Sequence, residues 1–177
     1  MTKERVLILM DGNNFYNSSK LLSLVGKINF EKLIKELIGE RELVNVFYYV
    51  APLDIKIDSE RYWKHEKFLS MLRKIPKFNV VLCTLRKVKK KEGGYEFVLK
   101  EDDIHLAGDL VEKAFRNLYD TAIIVSGDED FVPVIKIVQK IGKKVENVYF
   151  SSSSSRTLRN ICDYSICLNK ITSKIIK

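Results

Sequence analysis

The chain has 177 residues, with 31 Lys plus Arg against 23 Asp plus Glu, a formal net charge of +8, and an apolar content of 46%. That length fits one domain spanning 1–177 with a real hydrophobic core, and the composition excludes a disordered chain. A basic surface of this kind favours polyanions, and membrane is the poorer partner because no apolar run approaches a spanning helix.

The coarse pattern alternates strand and helix. RVLILM (5–10) is a short apolar run followed by turn signals, as expected of a buried strand. It meets Asp11 too soon to be a signal peptide. Asp-Gly-Asn-Asn at 11–14, taken alone, is turn and N-cap chemistry for a following helix. Residues 30–38 place Phe30, Leu33, Ile34, Leu37 and Ile38 on one helical face. LVNVFYYV (43–50) is a strand that stops at Ala51-Pro52. Residues 58–74 form a helix ended by Pro76. FNVVLCTLRKV and YEFVLK flank KKKEGG, and Gly93-Gly94 marks the turn of a β-hairpin.

A helix over 104–118 carries the stripe Leu106, Ala107, Leu110, Val111, Ala114, Phe115 and Leu118. At about 100° per residue, Asp103 falls within this stripe, Asp109 on its polar flank, and Asp102 and His105 further out. His105 is expected to be solvated. The strand TAIIV (121–125) leads into VSGDEDF. Alone, Asp128 is a helix N-cap there, with Glu129 and Asp130 favouring the positive end of the dipole. A helix over 129–141 stops at Gly142, and VENVYF (145–150) is a strand. SSSSS (151–155) is expected to be a flexible loop, before a short helix at 156–161 and a strand at 165–168.

Strands alternating with helices predict a mostly parallel central sheet covered on both faces, with the hairpin added to it. Ligand sites in such sheets lie beyond the carboxyl ends of the strands. Two of those ends carry acids, Asp11 and the Asp128–Asp130 run, and Asp103 reaches toward them from a third element. Two carboxylates ~4–5 Å apart repel by roughly 3–4 kcal/mol at an effective dielectric near 20. Such a group needs protonation or a cation, and oxygen ligands without paired Cys or His suit Mg²⁺ or Mn²⁺. Cys83, Cys162 and Cys167 form no CxxC pair, so they are expected to be reduced core residues in a cytoplasmic protein. An acidic, metal-holding cleft in a basic protein suits phosphodiester chemistry.

Three segments, LILMDGNNFY, KEDDIHLAGDL and YDTAIIVSGDEDFVPVIKIVQKIGKKVENVYF, resemble the NYN domain, the LabA-like branch of the PIN-like nucleases. Asp11, Gly12 and Asn14 match its first motif. Lys100, Asp103 and Asp109 match the middle one, and Ser126, Gly127, Asp128, Asp130 and Phe131 the third. Glu129 stands where the family often has Ser, and Glu101 where it often has Gly. In SSRTLRNICDYSICL, Asp163 matches a late family Asp, and Cys162 replaces an Ala.

The resemblance implies a Rossmann-like, PIN-like three-layer domain and Mg²⁺- or Mn²⁺-dependent cleavage of RNA. Under it, Asp11, Asp103, Asp128 and Asp130 hold metal and Asp109 joins them, while Asn14 and Ser126 position phosphate, water or a carboxylate. Glu129 is expected to face solvent. The basic hairpin tip, with Lys89, Lys90 and Lys91, is either an arm for phosphates or a solvated charge run that protects a strand edge. Single-stranded RNA is the favoured partner, with Tyr16 and Tyr95 available for stacking, and a homo-oligomer is compatible with the sequence. The alternative from another class is an RNA-binding or regulatory module without turnover. A haloacid-dehalogenase-type phosphatase wants an Asp where Asn13 stands, a receiver domain wants its acidic pair early, and a P-loop is absent.

Overall fold

The structure, a computed structural model, describes residues 2–89, 95–99 and 101–177, of which 85–89 and 95–99 by their backbone alone. The first half runs β1 (Arg5–Asp11), α1 (Gly12–Leu21), α2 (Phe30–Ile38), β2 (Glu42–Val50), α3 (Ser59–Leu72), β3 (Phe78–Leu82), β4 (Leu85–Lys89) and β5 (Tyr95–Leu99). The second half runs α4 (Asp102–Phe115), β6 (Thr121–Val125), α5 (Val132–Lys140), β7 (Lys144–Tyr149), α6 (Arg156–Ile161), β8 (Tyr164–Cys167) and α7 (Leu168–Ile175). Single 3-10 turns, Glu129–Phe131 and Ser151–Ser153, follow the ends of β6 and β7.

Six strands form one parallel sheet in the order β3-β2-β1-β6-β7-β8. The apolar run Val6–Met10 is central because both of its faces are covered, which is why it reads as continuous rather than alternating. Val6, Ile8 and Met10 pack with Phe15 of α1, Phe30 and Leu33 of α2, Leu69 of α3 and Leu168 of α7. Leu7 and Leu9 pack on the other face with Leu106 and Leu110 of α4, Ile135 of α5 and Leu158 of α6. The result is the expected three-layer α/β domain. Its chain order reverses between β1 and β6, and the crevice beyond their carboxyl ends is the place where such sheets bind ligands.

Three expectations need correction. The first arm of the expected hairpin divides in two: β3 pairs in parallel with β2 at the edge of the main sheet, and only β4 pairs antiparallel with β5. The apolar FNVVL is drawn into the main sheet because Phe78 can bury against β2 and α2. The serine run is not a loose loop but a docked turn. Finally, α7 was not foreseen, although Leu168, Ile171 and Ile175 give it an apolar face against α2. The tip residues Lys90 and Lys91, with Gly93-Gly94, lie outside the described residues.

Candidate functional site

Asp11 is the last residue of β1 and the N-cap of α1. Its two carboxylate oxygens are both used: one accepts the Asn14 backbone N–H at 2.9 Å, the other the Ser126 hydroxyl at 3.0 Å. Ser126 stands just past the end of β6, and its Oγ also accepts the Asp128 N–H at 3.2 Å. Asn14 turns its Oδ1 to the Gly127 N–H at 3.1 Å. The first and third motifs are thus stitched together across the two central strands. Asp128 caps the 3-10 turn through the Asp130 N–H at 3.0 Å, so its cap role and its place in the cleft coexist.

Two glycines make this junction possible. A Cβ on Gly12 would stand 2.5 Å from the Tyr49 carbonyl oxygen and 2.7 Å from the Tyr48 ring. A Cβ on Gly127 would stand 1.5 Å from the Ser153 carbonyl oxygen, because the serine turn lies directly on the motif. Ser155 N–H donates to the Gly127 carbonyl at 3.0 Å, and Ser18 and Ser153 share a hydroxyl contact of 2.5 Å. The Ser155 hydroxyl donates to the Glu129 carboxylate at 2.8 Å. Glu129 is exposed, and this bond ties it to the serine turn.

The third contributor is the start of α4. Among the residues the helix buries, Asp102, Leu106, Leu110 and Ala114 follow one another at four-residue spacing. The expected stripe was centred too far round the helix, because its members Phe115 and Leu118 are exposed, Phe115 by 71%. Asp102, expected further out, is therefore the buried acid at 8% exposure, and Asp103 is half-buried beside it. Glu101, at the position where the resemblance led one to expect Gly, has φ = 94° in the left-handed region. His105 is exposed, as expected.

These acids act on one another. Burial pushes the Asp103 carboxyl up to about 6, reinforced by the charges of Asp102, Asp11, Asp128 and Asp130. Asp11 is also raised, first by burial and then by the charges of Asp102 and Asp128, while its bonds from Asn14 and Ser126 pull the other way. Burial, with the Asp102 charge next, pushes the Cys83 thiol up to about 11, so it stays protonated. The donor set in the cleft is then carboxylate oxygen, which fits a hard divalent cation. Among the described residues, however, no three His, Cys, Asp or Glu side chains stand close enough together to enclose an ion.

Asp109 and Asp163 have partners of their own. Asp109 accepts the Tyr49 hydroxyl at 2.6 Å and the Lys113 ammonium at 2.5 Å, which leaves it tied to β2 and its own helix. Asp163 accepts the Val145 N–H at 2.8 Å and the Gln139 amide at 3.2 Å, at the amino end of β7 and away from the cleft. The side chain of Lys89 is outside the described atoms, as are Lys90 and Lys91. One supporting residue escaped the sequence reading. Asn147 is fully buried in β7, and its amide donates to the carbonyls of Ser126 at 2.8 Å and Ile124 at 3.2 Å. The signal was available: an amide in the apolar strand VENVYF must find partners inside.

A cavity of about 470 Å³, lined by Glu36, Arg41, Glu146 and Tyr164 among others, opens elsewhere, beside α2 and β8. The Arg41 guanidinium there is already committed to Glu146 at 2.6 Å and to the Leu37 carbonyl at 2.7 Å.

A doubly wound parallel sheet with acids at the carboxyl ends of its central strands defines a Rossmann-like α/β domain. The chain belongs to the NYN domain family, whose model matches residues 5–169. That family is typically one of nucleases with a PIN-like fold, acting on nucleic acid and generally using divalent metals. An uncharacterized protein of Methanocaldococcus jannaschii is 38% identical over 64 residues, a stretch that covers 36% of this chain and 27% of that protein. The crystal structure of a protein of unknown function from Vibrio parahaemolyticus is similar with a TM-score of 0.75 at 23% identity, covering 99% of this chain and 97% of that one. That likeness is one of fold. No helix among the described residues is long and apolar enough to cross a membrane.

Proposed function

We propose that this chain is a divalent-metal-dependent ribonuclease of cytoplasmic location that hydrolyses phosphodiester bonds, endonucleolytically, in single-stranded RNA. One observation carries the reading. The charges of Asp11, at the end of β1, and of Asp128 and Asp130, in the turn after the neighbouring β6, all bear on Asp103 of α4, in a chain of net charge +8. Asp11, Asp103, Asp128 and Asp130 would hold Mg²⁺ or Mn²⁺. When bound, such an ion lowers the pKa of water and offsets charge on the leaving oxygen. Ser126 and Asn14 orient Asp11 and the Gly127 backbone, so the carboxylates face the substrate in a fixed arrangement. Asp109 acts in support, through Tyr49. The free thiols fit a reducing compartment.

A second reading, RNA binding without turnover, is favoured by the lack of a ready-made three-ligand cage among the described residues. Labelled single-stranded RNA incubated with Mg²⁺, Mn²⁺ or EDTA separates the two. The nuclease reading expects fragments only with the metal and none from Asp128→Asn. Intact RNA held equally well with and without metal supports the binder, and an Asp128→Asn protein that cuts as fast as the wild type removes the acid assignment.

A further inference from the structure

A second cavity, of about 340 Å³, is a groove between α5 and α6, lined by Val132, Lys136, Arg156, Thr157, Asn160 and Ile161. Both of its walls start at the candidate site: α5 continues the turn of Asp130, and α6 follows the serine turn that lies on Gly127. The walls are tied together at each end. Near the site the Ser155 hydroxyl holds Glu129 at 2.8 Å, and at the far end the Gln139 amide donates to the Ile161 carbonyl at 2.9 Å. Between these ties stand Lys136 and Arg156, both exposed. Among the described residues neither has an ion-pair or side-chain hydrogen-bond partner, and the lining holds no acid. The Arg41 cavity differs, since Glu36 and Glu146 stand in its wall. Two cations that share one groove repel each other and favour an anion between them. Thr157 and Asn160 add a hydroxyl and an amide, both able to donate to its oxygens.

We propose that this groove is a subsite for a backbone phosphate of the RNA strand, held by Lys136 and Arg156. The inference rests on the reading that the chain takes single-stranded RNA, and it adds where the strand runs beyond the acids. Those acids repel a polyanion, so affinity for the strand must come from cations outside them. Lys136 contributes a point charge, and Arg156 a planar fork that matches two phosphate oxygens. Because the ties at both ends fix the groove before RNA arrives, little ordering is left to offset on binding.

The test is fluorescence anisotropy of a labelled single-stranded RNA with the purified full chain, across a salt series. It is run in EDTA, and again in Mg²⁺ on the Asp128→Asn background, so that the strand stays whole. Lys136→Gln combined with Arg156→Gln is expected to weaken binding about tenfold and to reduce the slope of log K against log salt by about 0.7. The matched control combines Lys35→Gln with Lys74→Gln, which removes the same charge from α2 and from just past α3, on the opposite face of the sheet. It is expected to bind within about twofold of the wild type. All four side chains are exposed, so both variants are expected to keep the wild-type fold. Equal losses in the two variants, or none in either, overturn the groove while leaving RNA binding intact. A chain with no RNA binding in either condition overturns that reading and the proposal with it.

Discussion

Ser126 donates its hydroxyl to the Asp11 carboxylate at 3.0 Å, joining the ends of two adjacent parallel strands that are 115 residues apart in the chain. The bond is buried, and the same hydroxyl accepts the Asp128 N–H. Removing it leaves a buried carboxylate short of one donor. Ser126→Ala is expected to lower stability by about 1–3 kcal/mol, measured by urea unfolding. Under the nuclease reading, kcat for RNA cleavage falls more than KM changes, because the substrate-binding surface is untouched while the acids lose their orientation.

Gly127 and Ser153 touch backbone to backbone, and no side chain fits between them. Gly127→Ala forces the serine turn off the motif and is expected to cost about 1–3 kcal/mol. Hydrogen exchange should report the change at Ser155, whose N–H is held by the Gly127 carbonyl. Unchanged protection at Ser155 would show that the turn does not depend on this contact.

Glu101 starts α4 from a left-handed conformation, φ = 94°, which an L side chain adopts at a penalty of about 1–2 kcal/mol. Glu101→Gly relieves it and Glu101→Ala does not, while both remove the same carboxylate. The Gly variant is therefore expected to be more stable than the Ala variant by about 1 kcal/mol. Equal melting of the two would mean that the helix start rearranges instead.

The Asp103 carboxyl, raised to about 6 from its ordinary 3.8, binds its proton more tightly folded than unfolded. The sign follows from linkage: between about 4 and 6 the native state holds more protons, so stability falls as pH rises through that window. Metal-free protein is expected to melt higher at pH 5 than at pH 7.5 on account of this group. Asp103→Asn flattens that part of the profile. A parallel shift of the whole curve, with its slope kept, would assign the pH dependence elsewhere.

If Lys89, Lys90 and Lys91 neutralise phosphates, replacing all three with Gln weakens RNA binding and flattens its salt dependence. Each lost phosphate contact on a single strand reduces the slope of log K against log salt by about 0.7. Fluorescence anisotropy of a labelled oligonucleotide across a salt series measures it. An unchanged slope leaves the run as a solvated charge cluster.

The layered α/β plan was legible because its signals are local. RVLILM and TAIIV are apolar throughout, as strands covered on both faces must be, and the helices between them show amphipathic faces. The acids at two strand ends were legible for the same reason: they directly follow those runs. Two kinds of fact were not. One is rotation, since Phe115 and Leu118 counted as core members until the packing left them in solvent, which moved the buried line of α4 from Asp103 to Asp102. The other is contact between distant segments. Five serines carry no periodicity, and only the close approach of Ser153 to Gly127 turns them into a wall of the cleft. Asp109 matched a motif as well as Asp103 did, yet Tyr49 and Lys113 occupy it.

By itself, then, the sequence determined which elements form and which strand ends carry acid, because hydrophobic period and turn chemistry act within a few residues. The tertiary structure decided that those ends are neighbours at the point where the sheet reverses its order, and which acid each helix turns inward. Those outcomes depend on how whole faces pack, and no short window of sequence contains them.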